Sequence, residues 1–351
     1  MITVQFDTTP LGNAHALRGI GVYTRMLSAA LQQNQHVMVV DPHAILPHPP
    51  ADVLHYPFFD LFQTTLPLRR RTPIVVTIHD VIPLIFPAHY KPGVKGLLRF
   101  WRQRAALQLV DAVITDSLAS KRDITRHLGV PASKVFVTYL AASPALQPAT
   151  VASMKQVRAT YALPNQYILY VGDINYNKNL PQLIKALKYL PPEVHLVCVG
   201  KNFVPSTIPE WKAIDQQLLL SDVSSRVHFV TNIPANGSGD LAAIYSAAVA
   251  YVQPSLYEGF GLPILEAMQC QTPVVATRTS SIFEVAGPAA ELVAPIAEEL
   301  AEGVKEVLGW STAQRRRRVV LATSWAEQFT WQKAAQDTVA VYERIQKRHA
   351  S

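Results

Sequence analysis

Short apolar runs rich in β-branched residues alternate along this chain with stretches of helical periodicity, and that alternation restricts the fold more than anything else in the sequence. ITVQFD (2–7), HVMVVD (36–41), DVLHY (52–56), PIVVTIHD (73–80), DAVITDS (111–117) and KVFVTYL (134–140) are the strand candidates of the first half, with helices expected at 21–33, 92–109 and 117–128. Strands that are apolar on both faces belong to parallel sheets covered by helices on each side. The pattern breaks over 141–166 into Pro, Ala and polar residues. It restarts with YILYVGD (167–173), VHLVCVG (194–200), RVHFVT (226–231), VAYVQPS (249–255), PVVATRT (273–279) and AELVAP (290–295). Helices are expected at 180–190, 211–220, 240–248, 262–269 and 298–310, and two more within 311–329 and 330–348.

The fold class is therefore α/β, with two doubly wound, Rossmann-like domains in series. A chain of 351 residues exceeds the size at which one core keeps growing, which agrees. The expected organisation is an N-terminal domain over 1–145, a linker over 146–165, a second domain over 166–328 and a final helix, 329–351, that returns to the first domain. Ligands of such folds bind beyond the carboxyl ends of the strands, so a cleft between the domains is the expected site.

The charge of +7 suits anionic partners but does not choose among phosphates, nucleic acid and lipid. Only Cys198 and Cys270 occur, both in apolar runs, which argues against a disulfide framework or a zinc site. The opening MITVQFDTTP lacks the pattern of a secretory signal, and no apolar run is long enough to span a bilayer. The expected location is the cytoplasm, at most peripheral on the inner face of the plasma membrane.

The stretch QPSLYEGFGLPILEAMQC carries the sharpest chemistry. A strand ends, a glycine-bearing loop follows, and Pro263 stands in the first turn of a helix. Glu258 lies in the loop and Glu266 about one turn inside the helix. Gly259 and Gly261 allow close backbone approach, and the helix start at Leu262 offers free N–H groups to an anion. The arrangement suits a phosphate flanked by hydroxyl-bearing sugars.

With its continuation to Gly287, this stretch resembles the donor-binding signature of the retaining nucleotide-sugar glycosyltransferases of family 4, which have the GT-B fold. The resemblance implies that Glu258 contacts the transferred sugar and that Glu266 binds the ribose hydroxyls, with Gly259, Phe260, Gly261 and Leu262 around the donor. ILYVGDINYNKNL is similar to that family's phosphate-binding segment, with Gly172 and Lys178 in the matching places. Asp173 stands where many members have Arg, which removes one positive charge from the expected diphosphate site. In VTIHDVIPLIFP, His79 and Asp80 end a central strand, and the resemblance puts this His beside the donor sugar. Gly19 and Gly21 of RGIGVYTRMLSAAL resemble a glycine-rich first loop that reaches the donor phosphate. His55 and Tyr56, in DVLHYPFF, are candidates for the acceptor side.

The reaction so implied is transfer of a sugar from a nucleoside-diphosphate sugar, a co-substrate rather than a bound cofactor, to a hydroxyl of a glycan or lipid-linked glycan. GDP-mannose is the favoured donor, and UDP-glucose and related donors stay open. No D-x-D motif is present, so no metal is expected. A sugar-nucleotide epimerase or phosphorylase of the same architecture, and an inactive nucleotide-sugar-binding protein, are the alternatives. The basic stretch 89–110 makes an amphipathic helix suited either to an anionic membrane or to a sheet on its apolar side with a solvated basic face. QRRRRVV (314–320) reads as a solvated helix face, and nothing supports nucleic-acid binding.

Overall fold

A computed structural model describes residues 1–12, 19–40, 50–69, 71–234 and 238–350. Residues Met1–Ala141 with Phe329–Ser351 form one unit and Ala142–Gln328 a second. Each is built on a six-stranded parallel sheet.

In the first unit the strands are β1 (Ile2–Phe6), β2 (Val37–Val40), β3 (Val53–Tyr56), β4 (Ile74–Thr77), β5 (Ala112–Thr115) and β6 (Val135–Val137), in the order β2-β1-β3-β4-β5-β6. Helices α1 (Gly19–Gln32), α2 (Ile82–Ile85), α3 (Gly93–Gln108) and α4 (Leu118–Leu128) connect them. Strands β4 and β5 are buried along their whole length, as their unbroken β-branched runs require. Helix α4 has both ends written in its sequence: Ser117 caps its start by accepting from the Ser120 amide, and Gly129, left-handed at φ +72°, ends it.

The second unit begins with α5 (Val151–Thr160), inside the segment expected to be a linker. Arg158 donates to the Ala247 carbonyl at 3.0 Å and the Ala149 amide to Ser246 Oγ at 3.0 Å, so this segment is built into that unit. Its strands are β7 (Tyr167–Val171), β8 (His195–Val199), β9 (Val227–Val230), β10 (Ala250–Gln253), β11 (Val274–Thr277) and β12 (Glu291–Val293). Its remaining helices are α6 (Leu180–Ala186), α7 (Pro209–Ser221), α8 (Ser238–Ala247), α9 (Leu262–Gln269), α10 (Ile282–Ala286), α11 (Ala297–Gly309) and α12 (Thr312–Ala326). The sheet order is β12-β11-β10-β7-β8-β9. Successive strands run outward from β7 to β9, and the chain then returns to build the other half from β10. The point of reversal therefore lies between β7 and β10.

The last helix, α13 (Trp331–Ala350), belongs to the first unit. Trp331, Ala334, Ala335, Thr338, Val341, Tyr342 and Ile345 are buried, a stripe at helical spacing. Gln346 donates to the Asp52 carbonyl at 2.9 Å, and the Arg344 guanidinium sits 5.1 Å above the Phe136 ring.

Candidate active site

Reversal of strand order opens a crevice at the carboxyl ends of the two strands concerned, because their outgoing loops diverge. In the second sheet those loops follow β7 and β10. The first carries Lys178 and the second Glu258, 80 residues apart in sequence, and the ammonium lies 2.8 Å from each carboxylate oxygen. Both loops are stitched together: Leu256 N–H donates to the Asn177 carbonyl at 2.8 Å, and Asn177 Nδ2 to the Tyr257 carbonyl at 2.9 Å. Asn179, left-handed at φ 57°, donates to the carbonyls of Pro254 and Pro295.

Glu258 is buried, and its two oxygens are used unequally. Oε1 accepts from Lys178, from Gln253 Nε2 at 2.7 Å and from Ser255 Oγ at 2.6 Å, whereas Oε2 takes Lys178 alone among the described residues. Tyr251 donates in turn to Gln253 Oε1, which fixes the orientation of the amide. A carboxylate held this way presents one oxygen with spare acceptor capacity. Sequence reasoning missed Gln253 and Ser255 as its partners, although the residues QPS precede Glu258 in the same quoted stretch.

The loop from Glu258 to Gly261 is fixed by the hydroxyls of the next strand's loop. Glu258 N–H donates to Ser280 Oγ at 2.8 Å, and Ser281 Oγ lies 2.9 Å from the carbonyls of both Glu258 and Phe260. Phe260 is buried, and Gly259 with it. Gly261 caps α9 with φ +105°, a conformation closed to side-chain-bearing residues, and Leu262 and Pro263 begin the helix. Glu266 lies one turn further on, partly buried, and accepts from the Tyr245 hydroxyl at 2.8 Å. Burial raises the Glu266 carboxyl above its ordinary value, and the Tyr245 bond works against that rise.

Gly172 follows β7. A Cβ there would meet the Tyr170 hydroxyl at 2.7 Å, and one on Gly200 would stand 2.1 Å from the Gly172 carbonyl, so the loops after β7 and β8 touch through bare backbone. Asp173, the departure from the family pattern, turns inward to the loop itself. Its carboxylate accepts from Asn202 Nδ2 and from the Ile174 amide, and its carbonyl from the Tyr170 hydroxyl at 2.7 Å.

In the first unit, His79 follows β4 and its Nδ1 lies 2.6 Å from Asp116 Oδ2, beyond β5. Burial alone would lower the imidazole, but the Asp116 carboxylate, with a smaller pull from Asp80, holds it above the ordinary histidine value. His79 Nε2 is buried near the Pro57 carbonyl without a hydrogen bond of good geometry. Ser120 Oγ donates to the His79 carbonyl, and the Tyr23 ring meets the imidazole edge-on at 4.7 Å. Asp80 accepts from the Ile82 amide at 2.9 Å, at the entry to α2.

His55 is not where the sequence reading put it. It is 1% exposed, with Nδ1 2.6 Å from the Tyr342 hydroxyl and Nε2 2.8 Å from Thr77 Oγ1, an interior position that an acceptor does not reach. Because strand side chains alternate, a residue at a strand's end faces the covering helix as readily as the site. Tyr56 is half-buried against the first unit's core, and burial, then Asp7, raises its hydroxyl. Gly19 and Gly21 lie in the first turn of α1, Gly21 buried. The preceding residues of that glycine-rich segment fall outside the described ones.

With the geometry described, comparison with known proteins is direct. Residues 156–320 match the model for glycosyl transferases group 1, and residues 43–144 that for glycosyltransferase family 4. A protein named MMP alpha-(1->4)-mannosyltransferase, from Mycolicibacterium hassiacum, is 30% identical over 301 residues, spanning 80% of this chain and 67% of that protein. The chain belongs to glycosyltransferase family 4. The O-antigen chain mannosyltransferase B of Escherichia coli is 29% identical over 287 residues, 79% of this chain and 72% of that protein. The solved structure of sucrose-phosphate synthase from Thermosynechococcus elongatus superposes over the whole of both chains with a TM-score of 0.74 at 21% identity, a likeness of fold, the GT-B architecture.

Proposed function

We propose that this glycosyltransferase moves mannose, with retention, from GDP-mannose to a hydroxyl of a glycan or lipid-linked glycan in the synthesis of a cell-surface polysaccharide or glycolipid, working in the cytoplasm at or near the inner membrane face. The observation that carries the reading is the contact between Lys178 and Glu258 at the reversal point of the second sheet. A nucleoside diphosphate brought there meets the ammonium, and the sugar beside it meets the spare acceptor oxygen of Glu258. As the donor's phosphates draw Lys178 toward themselves, the carboxylate is released to orient the sugar and to stabilise positive charge at the anomeric carbon. Glu266, one turn into α9, takes the ribose hydroxyls. Departure of the diphosphate is assisted by Lys178 and the N-terminus of α9, so no divalent metal is required. The choice of mannose is supported by the mannosyltransferase relatives. UDP-linked donors compete with it in the assay below.

The test is a thermal-shift series with GDP, UDP, ADP and their sugar conjugates in EDTA, followed by transfer assays with and without Mn²⁺ and NMR of the product's anomeric proton. A shift with guanine nucleotides alone and an axial product linkage support the reading. Strict Mn²⁺ dependence removes the metal-free mechanism, an inverted linkage removes retention, and binding without turnover identifies a nucleotide-sugar-binding protein.

A further inference from the structure

Helix α3 carries apolar side chains on two sides: Ala106, Leu107 and Phe100 pack with the first unit's core, and a second apolar set faces outward. Its buried residues are Gly96, Gln103, Ala106 and Leu107, while Val94, Leu97, Leu98 and Trp101 are 79%, 49%, 68% and 56% exposed. Positions 94, 97, 98 and 101 share one side of a helix, opposite 96, 103 and 107. The polar contact is on the inner side: Gln103 Nε2 donates to the Asp60 carbonyl at 3.2 Å and to Thr65, and Gln103 Oε1 accepts from the Leu66 amide. This apolar stripe is flanked by Lys91, Lys95 and Arg102 on one side and Arg104 on the other, while Arg99 lies nearer the inner side and donates to Gln63, and Arg102 also donates to the Leu66 carbonyl. No acidic residue occurs between Asp80 and Asp111. The Arg104 guanidinium lies 5.4 Å above the Trp101 ring, at the edge of the stripe. The loop packed on α3 contributes Asp60, whose carboxylate is taken by the amides of Phe62 and Gln63, and it continues to Arg69 and Arg71.

We infer that this outward face of α3 is the surface by which the chain sits on an anionic lipid bilayer. An apolar stripe with one Trp and bordering cations matches the layered chemistry of such a surface: acyl chains under the Leu side chains, glycerol level at the indole, anionic headgroups against Lys and Arg. A second copy of this chain is a poor occupant, because pairing two such faces sets their cations against one another. Among the described residues no helix is long and apolar enough to cross a membrane, so attachment here is to one leaflet. The surface is argued from its own side chains and does not depend on the sugar-transfer reading.

Sedimentation of the full chain with vesicles tests it. Wild type sediments with phosphatidylcholine vesicles carrying about a third phosphatidylglycerol, is released by 0.5 M NaCl, and stays in solution with phosphatidylcholine alone. Leu98→Ser with Trp101→Ser reduces binding more than tenfold. Lys91→Gln with Lys95→Gln reduces it by roughly fivefold per charge. All these positions are exposed, so unchanged circular dichroism and melting temperature confirm folding. Absence of binding, equal binding to neutral vesicles, or binding unaffected by the variants overturns the inference. So does a wild-type dimer in light scattering that the Leu98→Ser, Trp101→Ser variant converts to monomer.

Discussion

Acidification should destabilise the first unit through one residue, His55. Burial first, and the neighbouring His79 second, push its imidazole down to about 3, so the folded chain keeps it neutral. The unfolded chain protonates it at the ordinary value near 6.5. A base whose folded value is depressed leaves the unfolded state holding more protons as pH falls, so stability is intact above about pH 6.5 and drains away below it. Between pH 7 and pH 5 the linkage amounts to about 2 kcal/mol, and roughly 4–8 °C in melting temperature for a unit of this size. In His55→Asn that increment is absent, although the variant is less stable at pH 7 through loss of the contacts to Tyr342 and Thr77. Hydrogen exchange of the β3 and β4 amides at the two pH values reports on the first unit without mixing in the second. Equal changes for wild type and variant, or an NMR midpoint for His55 near 6.5, would refute the interior assignment.

Three further outcomes bear on the site. Glu258→Gln and Lys178→Met should each lower the transfer rate by roughly 10²–10³-fold in a folded protein, as loss of one preorganised electrostatic contact does. A near-normal rate for either would detach the ion pair from the chemistry. Glu266→Ala should raise the KM for the donor far more than it lowers kcat, and an unchanged KM contradicts the ribose contact. His79 should titrate above the ordinary histidine value by NMR, so that its stabilising contribution is full below about pH 6.5 and is lost as pH rises through its folded value. Asp116→Asn should lower that midpoint, because burial is then opposed only by the weaker pulls of Asp80 and the Pro57 carbonyl, and no change in midpoint would show the pair to be unimportant.

The strands and most helices were legible because parallel strands buried on both faces must be written as unbroken apolar runs. Each stretch from 2–7 to 290–295 holds a strand, shorter than the run by up to three residues at an end. Pairing across the sheet was less legible. Nothing local in YVGDINYNK or QPSLYEG says that Lys178 and Glu258 touch; the reversal of strand order between β7 and β10 decides it. Residues that hold other residues were also hidden. Asp116 and Gln253 look like ordinary strand ends, and their importance appears only when His79 and Glu258 are seen to lean on them. Asp173 shows the reverse: by sequence a missing positive charge, in the fold the acceptor that closes the loop after β7 with Asn202.

Helix α3 marks where the reading of periodicity stops. The spacing of Val94, Leu97, Leu98 and Trp101 is as regular as that of the core stripe on α13, and period alone gives a helix an apolar side without saying what covers it. On α13 the stripe packs against α1 and the sheet, with the Trp331 ring beside Tyr23 and Tyr342 bonded to His55. On α3 the inner face is chosen by fit and hydrogen bonding instead. Gly96 lets the first turn of α3 approach Phe62, whose Cβ would stand 3.6 Å from a Cβ there, and Gln103 supplies both an acceptor and donors to a loop whose backbone needs them. Burying the apolar stripe would have left the Leu66 amide and the Asp60 carbonyl unpaired, at roughly 1–3 kcal/mol each. Leaving it exposed forgoes more, on the order of 1.5–3 kcal/mol for each large side chain that solvent keeps. The outward stripe is therefore a net cost of the free chain, and a surface that covers Leu97, Leu98 and Trp101 recovers what the fold leaves exposed.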